Sequence, residues 1–145
     1  MNWNLIVLAS RSSLPLLAEF QQRPELRLRL VENGISCNNE IIPDIVTRGE
    51  GTTLSHVIVT NWLLETGRVH TYIASNHTRA LQAVAELLVS DDELLIEVSE
   101  ALVAEGNGKI PAKYQMAFEV RLHLHEANAT VERMLPQLGN KPIVY

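Results

Sequence analysis

Hydrophobic and polar residues alternate most regularly between Met116 and Glu126, where the sequence reads MAFEVRLHLHE. Neighbouring side chains of a strand point to opposite faces, so this alternation predicts a long strand with one apolar and one polar face. The residues expected to be buried are Phe118, Val120, Leu122 and Leu124. The residues expected to face solvent are Glu119, Arg121, His123 and His125. A sheet built around this strand would be covered on one face only.

Several shorter segments are also predicted as strands. They are Trp3–Ala9, Leu26–Val31, Arg68–Ser75 and Lys141–Tyr145. Trp3–Ala9 is an apolar run typical of a buried strand, whereas Leu26–Val31 alternates like the long strand. Residues Glu40–Val46 are expected to form a bent edge strand, because Pro43 cannot donate a ladder hydrogen bond.

Helix start and stop residues predict two helices in the first half of the chain. Ser13 is a good N-cap and Pro15 is tolerated in a first turn, so a helix is expected from there to Pro24. Thr52 or Thr53 is expected to cap a second helix reaching about Glu65, with Gly67 as its C-terminal glycine.

Three further helices are predicted in the second half. Apolar spacing indicates a helix over Asn76–Val89, and the capping box Ser90–Glu93 starts another. The inner face of that second helix is expected to consist of Leu94, Leu95, Val98 and Leu102. Asn128 or Thr130 is expected to cap a short helix that Gly139 ends.

These elements predict one α/β (or α+β) domain spanning residues 1–145. Its core would be a mixed sheet of four to six strands with helices on at least one face. A chain of 145 residues is the usual size of one domain.

Composition limits the classes of partner. The formal net charge of -5 argues against unassisted nucleic-acid binding, and no apolar run is long enough to span a membrane. Cys37 is the only cysteine, which excludes an internal disulfide and favours a reducing compartment, so we expect a cytoplasmic protein. Known cofactor and nucleophile motifs are missing from the sequence, and we expect no cofactor.

Two short segments repeat the pattern apolar-Ala-Ser-x-x-Ser/Thr, namely Leu8–Ser13 and Ile73–Thr78. Both lie where a predicted strand turns into a helix, so on parallel neighbouring strands they would meet at one crevice that suits a small anion. The candidate ligand-binding residues are Ser10, Arg11, Ser12, Ser13, Ser75, Asn76, Thr78 and Arg79. His77 is the candidate acid–base group, because histidine titrates near neutral pH. The alternative is that these hydroxyls and amides only cap helices.

A pair of histidines suggests a metal site, although the sequence supports this site less than the anion site at the two corners. His123 and His125 share one strand face and could hold a metal, yet Arg121 on the same face would repel a cation. The pair is equally explained as part of a solvated sheet face.

Two functional classes remain open at this point. We favour a non-catalytic assembly or interaction subunit, since open sheet edges and the acidic segment 86–105 offer contact surfaces for a protein partner or a second copy. The alternative is a binding protein or enzyme for a small anionic ligand at the corners 10–13 and 75–79.

Overall fold

A computed structural model of the chain describes residues 4–10, 15–47, 49, 51–90, 92–123 and 129–145. The described residues form ten strands and three α-helices. The strands are β1 (Leu5–Ser10), β2 (Leu28–Val31), β3 (Gly34–Cys37), β4 (Glu40–Pro43), β5 (Ile45–Thr47), β6 (Thr52–Leu63), β7 (Val69–Ser75), β8 (Lys113–His123), β9 (Ala129–Met134) and β10 (Ile143–Val144). The helices are α1 (Pro15–Gln21), α2 (Thr78–Ser90) and α3 (Asp92–Glu105).

The strands form a large mixed sheet and a small antiparallel one. The large sheet has seven strands in the order β1-β7-β6-β8-β10, with β5 also paired to β6 and β9 to β8. Only β1 and β7 run parallel among the described pairs. The small sheet has the order β2-β3-β4. The predicted mixed sheet with helices is therefore confirmed, with slightly more strands than expected.

Two hydrophobic clusters cover the two faces of the large sheet. On one face, α2 and α3 pack Val84 and Val98 against Phe118. On the other face, α1 and the small sheet pack Leu17 and Leu28 against the sheet. The sheet is thus covered on both faces along its middle, which the alternation in β8 did not predict.

The apolar face of β8 has the predicted register. Phe118, Val120 and Leu122 are buried, and Arg121 is exposed. Leu124 and His125 lie outside the described residues. A shift of one residue in register would turn the apolar side chains to the polar face. The alternation in the sequence was therefore enough to predict which side chains of β8 are buried.

The polar face of β8 is solvated only in part: the predicted exposure is confirmed for Arg121 and is wrong for Glu119. Glu119 is only 8% exposed and Gln115 on the same face is buried. His123 is half-buried. Gln115 is enclosed by the small sheet, where its amide donates to the Leu28 carbonyl oxygen, and Glu119 is engaged by Arg133 of β9, whereas Arg121 faces solvent.

The helix expected from Thr52 or Thr53 to Glu65 is wrong. The segment is β6, the central strand that pairs with both β7 and β8. It is buried on both faces, so Val57, Ile58 and Val59 follow one another without alternation, a pattern that does not distinguish a buried strand from a helix. Gly67 has a φ of 80° and belongs to the turn between β6 and β7, not to a helix end.

The short helix expected after Asn128 or Thr130 is also wrong. Thr130 lies in β9, which pairs with β8, while Asn128 lies outside the described residues. A 3-10 turn follows at Pro136–Leu138 and ends at Gly139 in a left-handed conformation. The final strand is confirmed as β10.

The remaining helices agree with their predicted positions. Ser90 is the last residue of α2, where its hydroxyl donates to the Glu86 carbonyl oxygen at 2.7 Å, and α3 begins at Asp92, close to the predicted start. In α3, Val98 and Leu102 are buried and Leu94 is half-buried, whereas Leu95 is exposed and does not belong to the inner face. No helix within the described ranges is long and apolar enough to cross a membrane.

The first strand exists as predicted, but it is not a buried strand. β1 stands at the end of the strand order, so it is an edge strand of the described sheet. Val7 and Ala9 face the core, whereas Ile6 is 69% exposed and Leu8 is 52% exposed. An apolar edge of this kind is a common site of strand pairing between chains.

Candidate functional site

The two repeated corners of the sequence lie side by side. β1 and β7 run parallel in a register that pairs Leu8 with Ile73, Ala9 with Ala74 and Ser10 with Ser75. The carboxyl ends of both strands therefore meet at the same end of the sheet, beside the start of α2. Arg11, Ser12 and Ser13 lie outside the described residues.

Ser75 and Asn76 hold this corner together. The buried Ser75 hydroxyl donates to the His56 carbonyl oxygen at 2.9 Å and accepts the His77 N–H at 3.2 Å. The Asn76 amide donates to the carbonyl oxygens of Val31 and Gly34 at 2.9 and 3.1 Å. Ser75 thus links β7 to β6 within the large sheet, and Asn76 ties the large sheet to the small sheet.

The other predicted ligand-binding residues differ in exposure. Thr78 is exposed at the first position of α2, and Ser10 is half-buried. Arg79 is half-buried and donates from Nη2 to the His123 carbonyl oxygen at 3.1 Å. Whether any of them binds a ligand stays a prediction.

A carboxylate between two histidines is the main polar cluster at this corner. The His56 Nδ1–H donates to Asp44 Oδ1 at 3.0 Å, and His77 Nε2 lies 3.4 Å from Asp44 Oδ2. The Asp44 and His56 side chains are 6% and 2% exposed, whereas the His77 side chain is 41% exposed. Only His77 of the three can therefore meet a molecule from solvent.

Each member of this cluster comes from a different element. Asp44 lies between β4 and β5, and its N–H donates to the Asn33 carbonyl oxygen at 2.7 Å. His56 is part of β6, and His77 directly precedes α2. The sequence analysis found His77 but missed Asp44 and His56, because their approach depends on strand pairing and on the position of the small sheet.

The cluster does not have the geometry of a metal centre. Within the described ranges, no group of three or more His, Cys, Asp or Glu side chains could hold a metal ion. The two histidines approach different oxygens of Asp44 and so do not converge on one point. The metal pair suggested by the sequence is not testable, because His125 lies outside the described residues.

Cys37 has the environment of a packing residue. It is the last residue of β3 and is buried in the hydrophobic cluster between the small sheet and the large one. Burial raises the pKa of the Cys37 thiol, so little thiolate is present at neutral pH. A protonated, buried thiol is a poor nucleophile.

A second surface lies on the helix side of β1. Leu8 of β1 and Leu81, Ala85 and Val89 of α2 line an open groove of about 760 Å³. Most of its lining is apolar, and Val89 at its end is exposed. We call this surface the β1–α2 groove.

Comparisons of the chain with models of protein families, with curated proteins and with solved structures find no match. The functional argument therefore depends on the geometry of these two surfaces.

Proposed function

We propose that the chain is a non-catalytic assembly subunit that associates with a second copy of itself through the outer edge of β1. The observation that carries this proposal is an edge strand with exposed Ile6 and Leu8 beside the apolar β1–α2 groove. Exposed edges with apolar side chains are usually blunted by charged residues or proline. The segment Leu5–Ser10 has neither.

The chemistry of β1 favours a second copy over an unlike partner. Two copies related by a twofold axis would pair their β1 strands antiparallel and extend one sheet across the interface. The Ile6 and Leu8 side chains of one copy would then pack against the Ile6 and Leu8 side chains of the other copy. Because β1 is uncharged, no like charges oppose this pairing.

The area available predicts a moderate affinity. Full burial of an isoleucine or leucine is worth about 1.5–3 kcal/mol, so covering the exposed parts of Ile6 and Leu8 in both copies contributes about 4–7 kcal/mol. Loss of rotational and translational freedom costs about 4–15 kcal/mol. The hydrogen bonds between the two β1 strands and the apolar contacts of the β1–α2 groove must therefore supply the remaining free energy of association. We expect a weak dimer that dissociates on dilution.

Sedimentation velocity over a concentration series tests this proposal. Ile6→Lys places a charge beside Leu8 on the helix-side face of β1, and Ile41→Lys is the matched control on β4, because Ile6 and Ile41 are 69% and 67% exposed. Wild type and the control should form dimers as concentration rises, while Ile6→Lys should remain monomeric. A wild-type monomer throughout the series, or a dimer of Ile6→Lys, would contradict the proposal.

A further inference from the structure

We propose that the cavity between α1 and the start of β7 binds a small zwitterion with an apolar body, which is the chemistry of a free apolar α-amino acid. Arg23 binds the carboxylate of this ligand, and Glu19 binds its ammonium group. The cavity lies on the face of the large sheet that α1 covers, whereas the β1–α2 groove lies on the opposite face. The site therefore does not depend on self-association.

The cavity has a size suited to a small organic molecule. It measures about 350 Å³, and ligand pockets in proteins measure about 300–1,000 Å³. Its wall consists of three apolar or aromatic side chains and three polar ones, namely Phe20, Leu64, Tyr72, Glu19, Arg23 and His70. A concave site of apolar groups with a few polar groups around it is typical of a binding site for small molecules.

Aromatic rings hold the Arg23 guanidinium on the cavity wall. Its Cζ atom lies 5.3 Å from the centroid of the Phe20 ring and 5.8 Å from that of Trp62. The Phe20 ring also stacks on Tyr72, with the two centroids 4.2 Å apart. Arg23 is half-buried, and its side chain donates to no oxygen atom in the part of the chain that the structure describes.

The donors of this guanidinium are therefore available to a ligand. A planar guanidinium matches a carboxylate in shape and can donate two parallel hydrogen bonds to it. Contact with the aromatic rings restricts the Arg23 side chain before a ligand arrives, which lowers the entropy cost of binding.

Glu19 supplies a negative charge at the same cavity. It is exposed on α1, four residues before Arg23, and among the described residues it forms no ion pair with Arg23 or with any other side chain. Burial raises the pKa of Tyr72, while Arg23 lowers this pKa and Glu19 raises it, so both charges act on the Tyr72 hydroxyl in the cavity wall.

The two unlike charges determine the class of ligand. A plain anion would be attracted by Arg23 and opposed by Glu19, and a plain cation would meet the reverse arrangement. A molecule with a carboxylate and an ammonium group complements both charges. Its apolar body can then contact Leu64 and the edges of the aromatic rings.

A contact between His70 and Tyr72 provides a reporter of occupancy. His70 Nδ1 lies 3.3 Å from the Tyr72 hydroxyl oxygen, and both residues line the cavity. A ligand in the cavity would change the surroundings of the His70 ring. The side-chain resonances of His70 should therefore shift as the site fills.

The experiment is a titration of the full chain with L-leucine and two analogues, followed by calorimetry and by the His70 resonances. The first analogue, 4-methylpentanoate, lacks only the ammonium group, and the second, 3-methylbutylamine, lacks only the carboxylate. Leucine should bind about two- to fivefold more tightly than 4-methylpentanoate, because an exposed charge such as Glu19 contributes little. It should bind at least about tenfold more tightly than 3-methylbutylamine, which cannot pair with Arg23.

Two variants assign the charges to their groups. Arg23→Gln should weaken leucine binding at least about tenfold. Glu19→Gln should weaken leucine binding about two- to fivefold without weakening the binding of 4-methylpentanoate. Arg68→Gln is the control and should leave leucine binding unchanged, because Arg68 is an exposed arginine in the turn between β6 and β7 that does not line the cavity.

Several results would overturn the proposal. The first is no saturable binding of leucine up to about 10 mM, the weak end expected for a ligand of this size. The others are an analogue that binds as tightly as leucine, leucine affinity that is the same in Arg23→Gln as in Arg68→Gln, and binding that leaves the His70 resonances unshifted. Thermal unfolding verifies that Arg23→Gln folds, and Glu19→Gln at an exposed position tests the same site independently.

Discussion

The replacement Gln115→Met tests how the small sheet is held on the large one. Gln115 is buried on β8, and its amide donates to the Leu28 carbonyl oxygen at 2.9 Å and to the Thr60 hydroxyl at 3.0 Å. Its carbonyl oxygen accepts the Leu28 N–H at 3.0 Å and the Tyr145 hydroxyl. Methionine has nearly the same length but makes none of these hydrogen bonds.

The expected cost follows from the two backbone groups of Leu28. Leu28 is only 1% exposed, so its N–H and its carbonyl oxygen would remain buried without the partners that Gln115 supplies. A buried polar group left unsatisfied costs about 1–3 kcal/mol, which gives about 2–6 kcal/mol for the pair. The Thr60 and Tyr145 hydroxyls can rotate toward other acceptors, and we assign them no further cost.

Urea unfolding measures this loss as a shift of the midpoint at constant slope. Gln22→Met is the control, because Gln22 is exposed after α1 and its replacement should change the free energy of unfolding by less than about 0.5 kcal/mol. A loss below about 0.5 kcal/mol in Gln115→Met would refute the view that this amide joins the two sheets.

Three other predictions concern stability. Leu122→Ala should lower the free energy of unfolding by about 2–5 kcal/mol, because Leu122 is buried in the core; a loss well below that range in urea unfolding would contradict its place there. Gly34→Ala should melt at a lower temperature, since a β-carbon at this position would overlap the Ile42 carbonyl oxygen of the paired strand, and an unchanged melting temperature would argue against that close approach. Burial raises the pKa values of Tyr72 and Tyr114. Their neutral forms therefore favour the folded state below the unfolded tyrosine pKa of about 10, and this contribution is lost as the pH rises through the folded values. Melting temperatures measured across the alkaline range should fall together with the appearance of tyrosinate absorbance, and a melting temperature that stays constant through tyrosine ionisation would contradict the burial.

Local patterns in the sequence predicted the parts of the fold that depend on neighbouring residues. The apolar face of β8 followed from strict alternation. The repeated corners followed from two similar segments, and the structure places them in exact register, with Ser10 beside Ser75. In both cases the information lies within about ten residues, where side-chain period and turn chemistry act.

The wrong predictions concern residues of the large sheet that are buried on both of its faces. Val57, Ile58 and Val59 in β6 are all buried, because α2 lies over one face and the small sheet over the other. A strand enclosed in this way loses its alternation, so its sequence resembles a helix. Glu119 is buried for the same reason, because the face of the sheet that was expected to be solvated is also covered.

The candidate site was only partly accessible to sequence reasoning. His77 could be proposed from its place between a strand and a helix. Asp44 and His56 are separated from it by long stretches of chain and meet it only through the pairing of β5, β6 and β7. No spacing rule within the sequence connects the three residues.

Hydrogen exchange of the β1 amides at low and high protein concentration tests the central claim of self-association most directly. About half of the N–H groups of an edge strand point away from its neighbour and exchange quickly unless another strand pairs with them. If two copies join through β1, these amides of Leu5–Ser10 become protected as concentration rises, and they lose that protection in Ile6→Lys. Exchange that stays fast at every concentration, or a dimer whose protection appears only outside β1, would contradict the proposal.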